Sequence, residues 1–167
     1  MPKKTNRSRL PFRKNCEGYF YDKNLNILAK LMNGIFVFPG GGVYDGENVE
    51  HAIIRETFEE TGAVIKNLRK IGELKFIWGQ NWFKTEKQQE RYRQYQGEDM
   101  HFFIGEIIEF NESEKMGEDY WMGKKLIPIE KAIEIIEAGK PFNKNIEEYR
   151  EIQLKFLRAI QNEKFKV

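Results

Sequence analysis

The run Ile35 to Phe38 is wholly apolar and β-prone, and it ends abruptly at Pro39-Gly40-Gly41-Gly42, where neither a helix nor a strand ladder continues easily. From Asn48 to Thr61 the pattern becomes helical: Val49 and Ile53, like Ile54 and Phe58, stand four apart, and Gly62 lies where a helix stops. A strand, a glycine loop and a helix in immediate succession constrain the chain strongly. The glycines let backbone approach a ligand closely, with carbonyls free to ligate and N–H groups free to meet phosphate oxygens. The helix N-terminus that follows favours anions further.

The surrounding pattern alternates strands and helices. Cys16 to Tyr21 and Asn26 to Met32 read as a β-hairpin joined by Asp22-Lys23-Asn24. Ile71 to Trp78 and Met100 to Ile108 read as strands separated by residues 79 to 99, which are polar, too many for a hairpin loop, and expected to contain a short helix. Leu126 to Ile129 suggests a last strand, Glu130 to Ala138 a helix closed by Gly139, and Ile146 to Phe165 a long amphipathic helix. Periodicity alone therefore gives an α/β or α+β fold.

Composition narrows the class. A chain of 167 residues is expected to form one domain, over residues 13 to 167, and its 40% apolar content suffices for a core. The 28 basic and 26 acidic residues nearly cancel, so bulk charge names no partner. No run approaches the ~18 consecutive apolar residues that span a bilayer, so no membrane partner is expected. Lys3, Lys4, Arg7 and Arg9 belong to a basic arm, residues 1 to 12, expected to be flexible, with no apolar stretch behind it to make a secretory signal. Cys16 is the single cysteine, which excludes an internal disulfide and suits a reducing compartment, so a cytoplasmic location is expected.

The helix after the glycines carries the chemistry. At about 100° per residue, Glu56, Glu59 and Glu60 fall inside an arc of about 100°, beside the arc of Ile53, Ile54, Thr57 and Phe58 that is expected to be buried. Like charges at i, i+3 and i+4 cost a few tenths of a kcal/mol per pair, a cost that a bound divalent cation offsets. Oxygen ligands without a thiolate select Mg²⁺, Mn²⁺ or Ca²⁺ over zinc, and such ions usually sit between carboxylates and substrate phosphates.

Gly41, five residues, Glu47, seven residues and then Arg55-Glu56-Thr57-Phe58-Glu59-Glu60-Thr61-Gly62-Ala63 match the Nudix box, GX5EX7REUXEEXGU with U apolar. Coincidence of its seven fixed residues has a probability of about 10⁻⁷ per starting position when composition is the null. The chain therefore resembles the Nudix hydrolases. Thr57 and Ala63 depart mildly at two packing positions. The strand into Pro39-Gly40-Gly41 and the later Glu118-Asp119-Tyr120-Trp121 agree with the family, extending the resemblance over residues 13 to 160.

The resemblance implies an α/β/α sandwich around a mixed sheet, with a catalytic loop-helix-loop. It implies that Glu56, Glu59, Glu60 and the Gly40 carbonyl surround Mg²⁺, Mn²⁺ being a substitute, on a pyrophosphate. Glu56 and Glu59 are candidate general bases within the box. Glu98, just before the Met100 strand, is the candidate outside it and a candidate further metal ligand. Arg55 locks a neighbouring glutamate, and Glu47 fixes the loop. Lys30 and Gly41 are candidate phosphate contacts.

Substrate is less constrained. Trp78, Trp82, Phe83, Tyr92 and Tyr95, interleaved with Lys84, Lys87, Arg91 and Arg93, form a mixture able to stack a base and attract phosphates. Trp78, Trp82 and Tyr92 are taken as substrate-binding candidates, against the reading in which such aromatics only pin a surface helix. The expected activity is hydrolysis of a nucleoside di- or triphosphate derivative, as in a MutT-like (d)NTP pyrophosphohydrolase. Dinucleoside polyphosphates or a triphosphorylated RNA 5′ end gripped by the basic arm are the alternative substrates. A non-catalytic nucleotide-binding regulatory module is the alternative of another class. The long C-terminal helix suits either a monomer, packed on its own sheet, or a homodimer seam.

Overall fold

The computed structural model describes residues 6–32, 34–111, 119–123, 125–139 and 144–165. After a short 3-10 turn at Arg7–Arg9, strand β1 (Phe12–Tyr21) runs through the middle of the sheet. Its last six residues are all buried, because helices cover both of its faces.

Beyond the Asp22-Lys23-Asn24 turn the expected hairpin arm divides in two. β2 (Asn26–Leu28) pairs antiparallel with β1 at Tyr21↔Ile27. β3 (Lys30–Met32) leaves that sheet and pairs instead with β4 (Ile35–Val37). Ala29, fully buried between the two, marks the change of partner.

The glycine segment, expected to lie outside any ladder, forms β5 (Gly40–Gly42) against β1, with Cys16 opposite Gly41 and Glu17 opposite Gly40. The absence of side chains makes this pairing possible. A Cβ on Gly40 would stand 2.0 Å from the Cys16 carbonyl oxygen, so only glycine admits the approach.

Helix α1 (Val49–Thr61) follows, and β6 (Ala63–Ile77) starts immediately after the Gly62 cap. β6 is longer than the expected strand because its first half is half-exposed and polar, so no apolar alternation reveals it. It also carries register shifts, with Asn67 at φ 53°.

Helix α2 (Glu86–Gln94) occupies part of the 79 to 99 segment, and β7 (Gly97–Phe110) returns antiparallel to β6 and parallel to β1. β8 (Leu126–Pro128) pairs with β2, and α3 (Ile129–Ala138) and α4 (Lys144–Phe165) complete the order. The main path is β6-β7-β1-β2-β8, a mixed sheet.

Alternation along β1 sorts the core into two layers. Cys16 and Phe20 join Ala52 and Ile53 of α1, with Leu28 and Phe103. Tyr19 and Tyr21 face the other way, toward Ala132 and Ile136 of α3 and Phe156, Leu157 and Ile160 of α4. The Phe156 ring lies 5.3 Å from Tyr19 and 5.2 Å from Phe102, so α4 packs on its own sheet. Among the described residues no helix is long and apolar enough to cross a membrane.

The arm expected to be loose over residues 1 to 12 is held in its second half. Arg7 donates to the carbonyls of Tyr92 (2.7 Å) and Tyr95 (2.8 Å), and its guanidinium stacks 3.3 Å from the Tyr92 ring centroid. Lys3 and Lys4 lie outside the described residues.

Candidate active site

Asn48 caps α1 by accepting from the His51 N–H at 2.8 Å, and Gly62, at φ 76°, ends it by donating to the Phe58 carbonyl. The helix presents a different face from the expected one. Ala52, Ile53, Thr57 and Thr61 are buried, whereas Ile54 and Phe58 are 39% and 36% exposed. At about 100° per residue this turns the buried sector so that Glu56 and Glu60 fall between Ala52 and Ile53, aimed at the glycine strand. Glu59 lies outside that sector, half exposed, with its carboxylate on Arg55.

Burial against β5 governs both inward carboxylates. Glu60 accepts the Gly40 N–H at 2.8 Å, yet burial, with the charges of Glu56 and Asp119, pushes its pKa up to about 7 despite that bond and one from the Trp121 side chain. Glu56 is likewise raised, chiefly by burial and then by Glu59 and Asp119, against the pull of Arg55. A Cβ on Gly41 would stand 2.6 Å from the Glu56 carboxyl carbon, so glycine there leaves room for that carboxylate.

Arg55 organises the loop. It donates to both Glu47 oxygens (2.8 and 2.9 Å), to the Gly42 carbonyl (3.0 Å), to Glu56 (3.1 Å) and to Glu59 (3.2 Å), and stacks 3.9 Å from the Tyr44 ring centroid. Glu47 also accepts the Tyr44 N–H, and the Arg55 guanidinium holds its pKa down at about 2.

The glycine strand and the two inward carboxylates open onto a cleft of about 700 Å³. One side carries Glu56, Glu60 and Asp119, and Gly40, Gly41 and Lys30 also line the cleft. Glu98 reaches the same cleft from β7, but beside Asn15, which donates to it at 3.3 Å, and Arg13 at 3.9 Å. Burial raises its pKa, with Arg13 opposing.

Among the described residues no three acidic, histidine or cysteine side chains close into a metal cage. The donor set still fits a hard divalent ion, since it offers buried carboxylate oxygens, and the ion's charge would offset the burial and the neighbouring acidic charges that raise Glu56 and Glu60. Mg²⁺ in particular needs only one or two protein carboxylates when water and substrate phosphates supply the rest.

The aromatic candidates are engaged elsewhere. Trp78 is buried and stacked on Trp82, with centroids 3.8 Å apart and planes 5° from parallel. Tyr92 sits between Arg7 and the Phe83 ring, 4.9 Å away. Among the described residues the aromatic lining of the cleft is Tyr44, Tyr120 and Trp121 instead, and Lys87 and Arg91 of α2 join it with Arg13. Glu118 lies outside the described residues; Asp119-Tyr120-Trp121 beside it, read in the sequence only as agreeing with the family, lines the cleft. Arg13 and Asn15 had no sequence signal, because only the parallel pairing of β1 with β7 brings them to Glu98.

Comparison with known proteins gives the same frame. The Nudix hydrolase YvcI of Bacillus subtilis (strain 168) is 43% identical over 63 residues, which are 38% of this chain and 39% of that protein, so the match spans about two-fifths of the relative. A NUDIX hydrolase structure from Nitrosomonas europaea superposes with a TM-score of 0.54 at 14% identity, covering 78% of this chain and 82% of that one. A MutT NUDIX hydrolase structure from Burkholderia pseudomallei gives 0.48 at 17% identity, covering 83% and 95%. The NUDIX domain profile matches residues 27–146, which include the glycine strand and the whole of α1. With Glu56 and Glu60 of the box at one cleft, Arg55 tying the rest of it together, and the profile covering most of the sequence, this chain belongs to the NUDIX family.

Proposed function

We propose that the protein is a divalent-metal-dependent hydrolase of a phosphoanhydride in a nucleoside di- or triphosphate derivative, most simply a (d)NTP, with Mg²⁺ as the natural ion and Mn²⁺ as a substitute. The observation that carries this reading is the pair Glu56 and Glu60, turned inward onto the glycine strand with raised pKa values and facing a cleft whose other side is basic.

In this reading Glu56 and Glu60 hold the ion and Gly40 contributes backbone. The bound ion supplies charge neutralisation on the phosphates and acidifies a water. Gly40 N–H fixes the Glu60 carboxylate, and Arg55 fixes Glu56. Lys30 and the Gly41 backbone position the phosphates. The proton of the attacking water passes to a carboxylate facing the cleft. Glu56, Glu60, Glu98 and Asp119 all line the cleft, and Glu56 and Glu98 are the candidates for that proton here, whereas Glu59 is half exposed and acts by sharing the Arg55 guanidinium. Tyr44 and Tyr120, each with one ring face under a cation, Arg55 and Lys125, offer the other for the nucleoside.

The test incubates wild type and Glu56→Gln with Mg²⁺ and dNTPs, NTPs, NDP-sugars, dinucleoside polyphosphates and triphosphorylated RNA, with products identified by mass. Monophosphate plus pyrophosphate from an NTP, lost at least 100-fold in the variant and abolished by EDTA, is the expected result. Wild type that binds nucleotide and turns over nothing across the panel replaces this reading with a regulatory binding module.

A further inference from the structure

The basic side of the cleft is assembled from segments far apart in the chain. Arg13 comes from β1, and Lys87 and Arg91, four apart on one face of α2, come from the 79 to 99 segment. The Arg13 guanidinium lies over the glycine strand, where a Cβ on Gly42 would stand 2.4 Å from its Nη2. Glycine at that position therefore makes room for the arginine as well as for the ladder.

The placement of α2 is fixed at both ends. Thr85 and Gln88 form a reciprocal cap at its start. Arg7 binds the carbonyls of Tyr92 and Tyr95 at its end, and Gln96 just beyond bonds Leu10 (2.6 Å) and Pro11 (3.0 Å). The helix is thus tied to the residues leading directly into the strand that carries Arg13.

Electrostatics give the wall its purpose. Three cations meet one carboxylate, Glu98, which sits against Arg13 and Asn15. Burial and then the charge of Arg13 lower the pKa of Arg91. Two guanidiniums held near one another repel unless an anion lies between them, and phosphoryl oxygens match their forked donors. An ion held by Glu56 and Glu60 would be balanced by those two carboxylates, so the charge of a polyphosphate falls to the cations of the cleft. With Lys30 assigned to the cleaved anhydride, the Arg13, Lys87 and Arg91 wall answers the charge beyond it.

We propose that Arg13, Lys87 and Arg91 form a polyphosphate subsite that takes a phosphate beyond the cleaved anhydride, so that the preferred substrate carries at least three consecutive phosphates rather than a diphosphate capped by a neutral sugar. The proposal rests on the hydrolase reading above for its substrate, and on the wall alone for the subsite.

Binding of inorganic tripolyphosphate, measured by calorimetry in EDTA, separates the two. The Lys87→Ala/Arg91→Ala double variant should bind at least tenfold more weakly than wild type. α2 buries no residue among those described, so the variant should fold, and Arg91→Lys should retain affinity within about threefold. Lys84→Ala/Arg93→Ala removes the same charge from α2 and its N-terminal approach, outside the cleft lining, and should change little. In turnover, the kcat/KM ratio of nucleoside triphosphate to NDP-sugar should fall at least tenfold in the Lys87/Arg91 double variant. Equal tripolyphosphate affinity in wild type and that variant, or equal losses in both double variants, overturns the subsite. A wild type that prefers NDP-sugars overturns the substrate assignment. A wild type that binds tripolyphosphate through this wall and hydrolyses nothing upholds the subsite and refutes the hydrolase reading.

Discussion

Adjacent glycines in one strand do different work, and alanine separates their roles. At Gly40 the added Cβ meets backbone, the Cys16 carbonyl at 2.0 Å, so β5 would have to move away from β1. At Gly41 it meets the Glu56 carboxylate at 2.6 to 2.8 Å, the far end of a side chain that can swing aside. Gly40→Ala should therefore lower stability by roughly 2 kcal/mol or more, in the range of overpacked sites, read as a shifted urea midpoint. Gly41→Ala should unfold close to wild type while losing turnover at least tenfold, because the carboxylate that moves is one proposed to hold the ion. Equal destabilisation by both would show that Gly41 is also a packing residue. Arg55→Lys should likewise reduce kcat more than stability. A lysine keeps the charge but loses the fork that reaches Glu47, Glu56, Glu59 and the Gly42 carbonyl together. These contacts were legible in outline, since spacing placed Arg55, Glu56, Glu59 and Glu60 on one helix just after the glycine loop. Spacing did not disclose which carboxylates turn inward. Ile54 and Phe58 outweigh Ala52 and Thr57 in any hydrophobicity pattern, yet close approach to a glycine strand selects the smaller side chains and draws Glu56 and Glu60 in with them.

At the scale of elements, α2 shows what composition alone could not place in and beside the 79 to 99 segment. Its aromatics suggested base stacking, but Trp78 and Trp82 stack on each other and Tyr92 takes the Arg7 guanidinium, while two of its basic side chains reach the cleft. A helix with no buried residue of its own depends on such tethers. Arg7→Ala should accordingly speed amide exchange over residues 86 to 95 by at least tenfold and leave α1 unaffected, as hydrogen exchange with mass analysis would show. Unchanged exchange in α2 would mean that Gln96 and the Thr85 cap suffice. The early part of β6 was hidden for a related reason. Lys66, Asn67, Arg69 and Lys70 occupy an edge strand with irregular register, where polar side chains guard exposed backbone and erase the alternation that marks a strand.

Across the whole molecule, one buried carboxylate joins the site side of the sheet to the C-terminal helix. Glu17, opposite Gly40 in the ladder, accepts from the Tyr19 hydroxyl at 2.6 Å and from the Tyr149 hydroxyl of α4. Burial pushes its pKa up to about 7, with both tyrosine bonds opposing. Nothing in the sequence marked Glu17, since an acid in a strand otherwise reads as an outward position, and only the packing of α4 encloses it. The native state therefore holds a proton that the unfolded chain, titrating near pH 4.5, releases. The stability this proton confers is complete below about pH 4.5 and is lost as pH rises through about 7. Glu17→Gln, which keeps an acceptor for the tyrosines and cannot ionise, should match wild type near pH 4 and exceed it at pH 8 by on the order of 2 kcal/mol. Urea unfolding at both pH values measures this directly. Glu56, Glu60 and Glu98 are raised as well and leave a residual slope in the variant. A variant with the full wild-type slope would place the pH dependence in the cleft carboxylates alone, and would mean that Glu17 stays protonated, or already ionised, across the whole range.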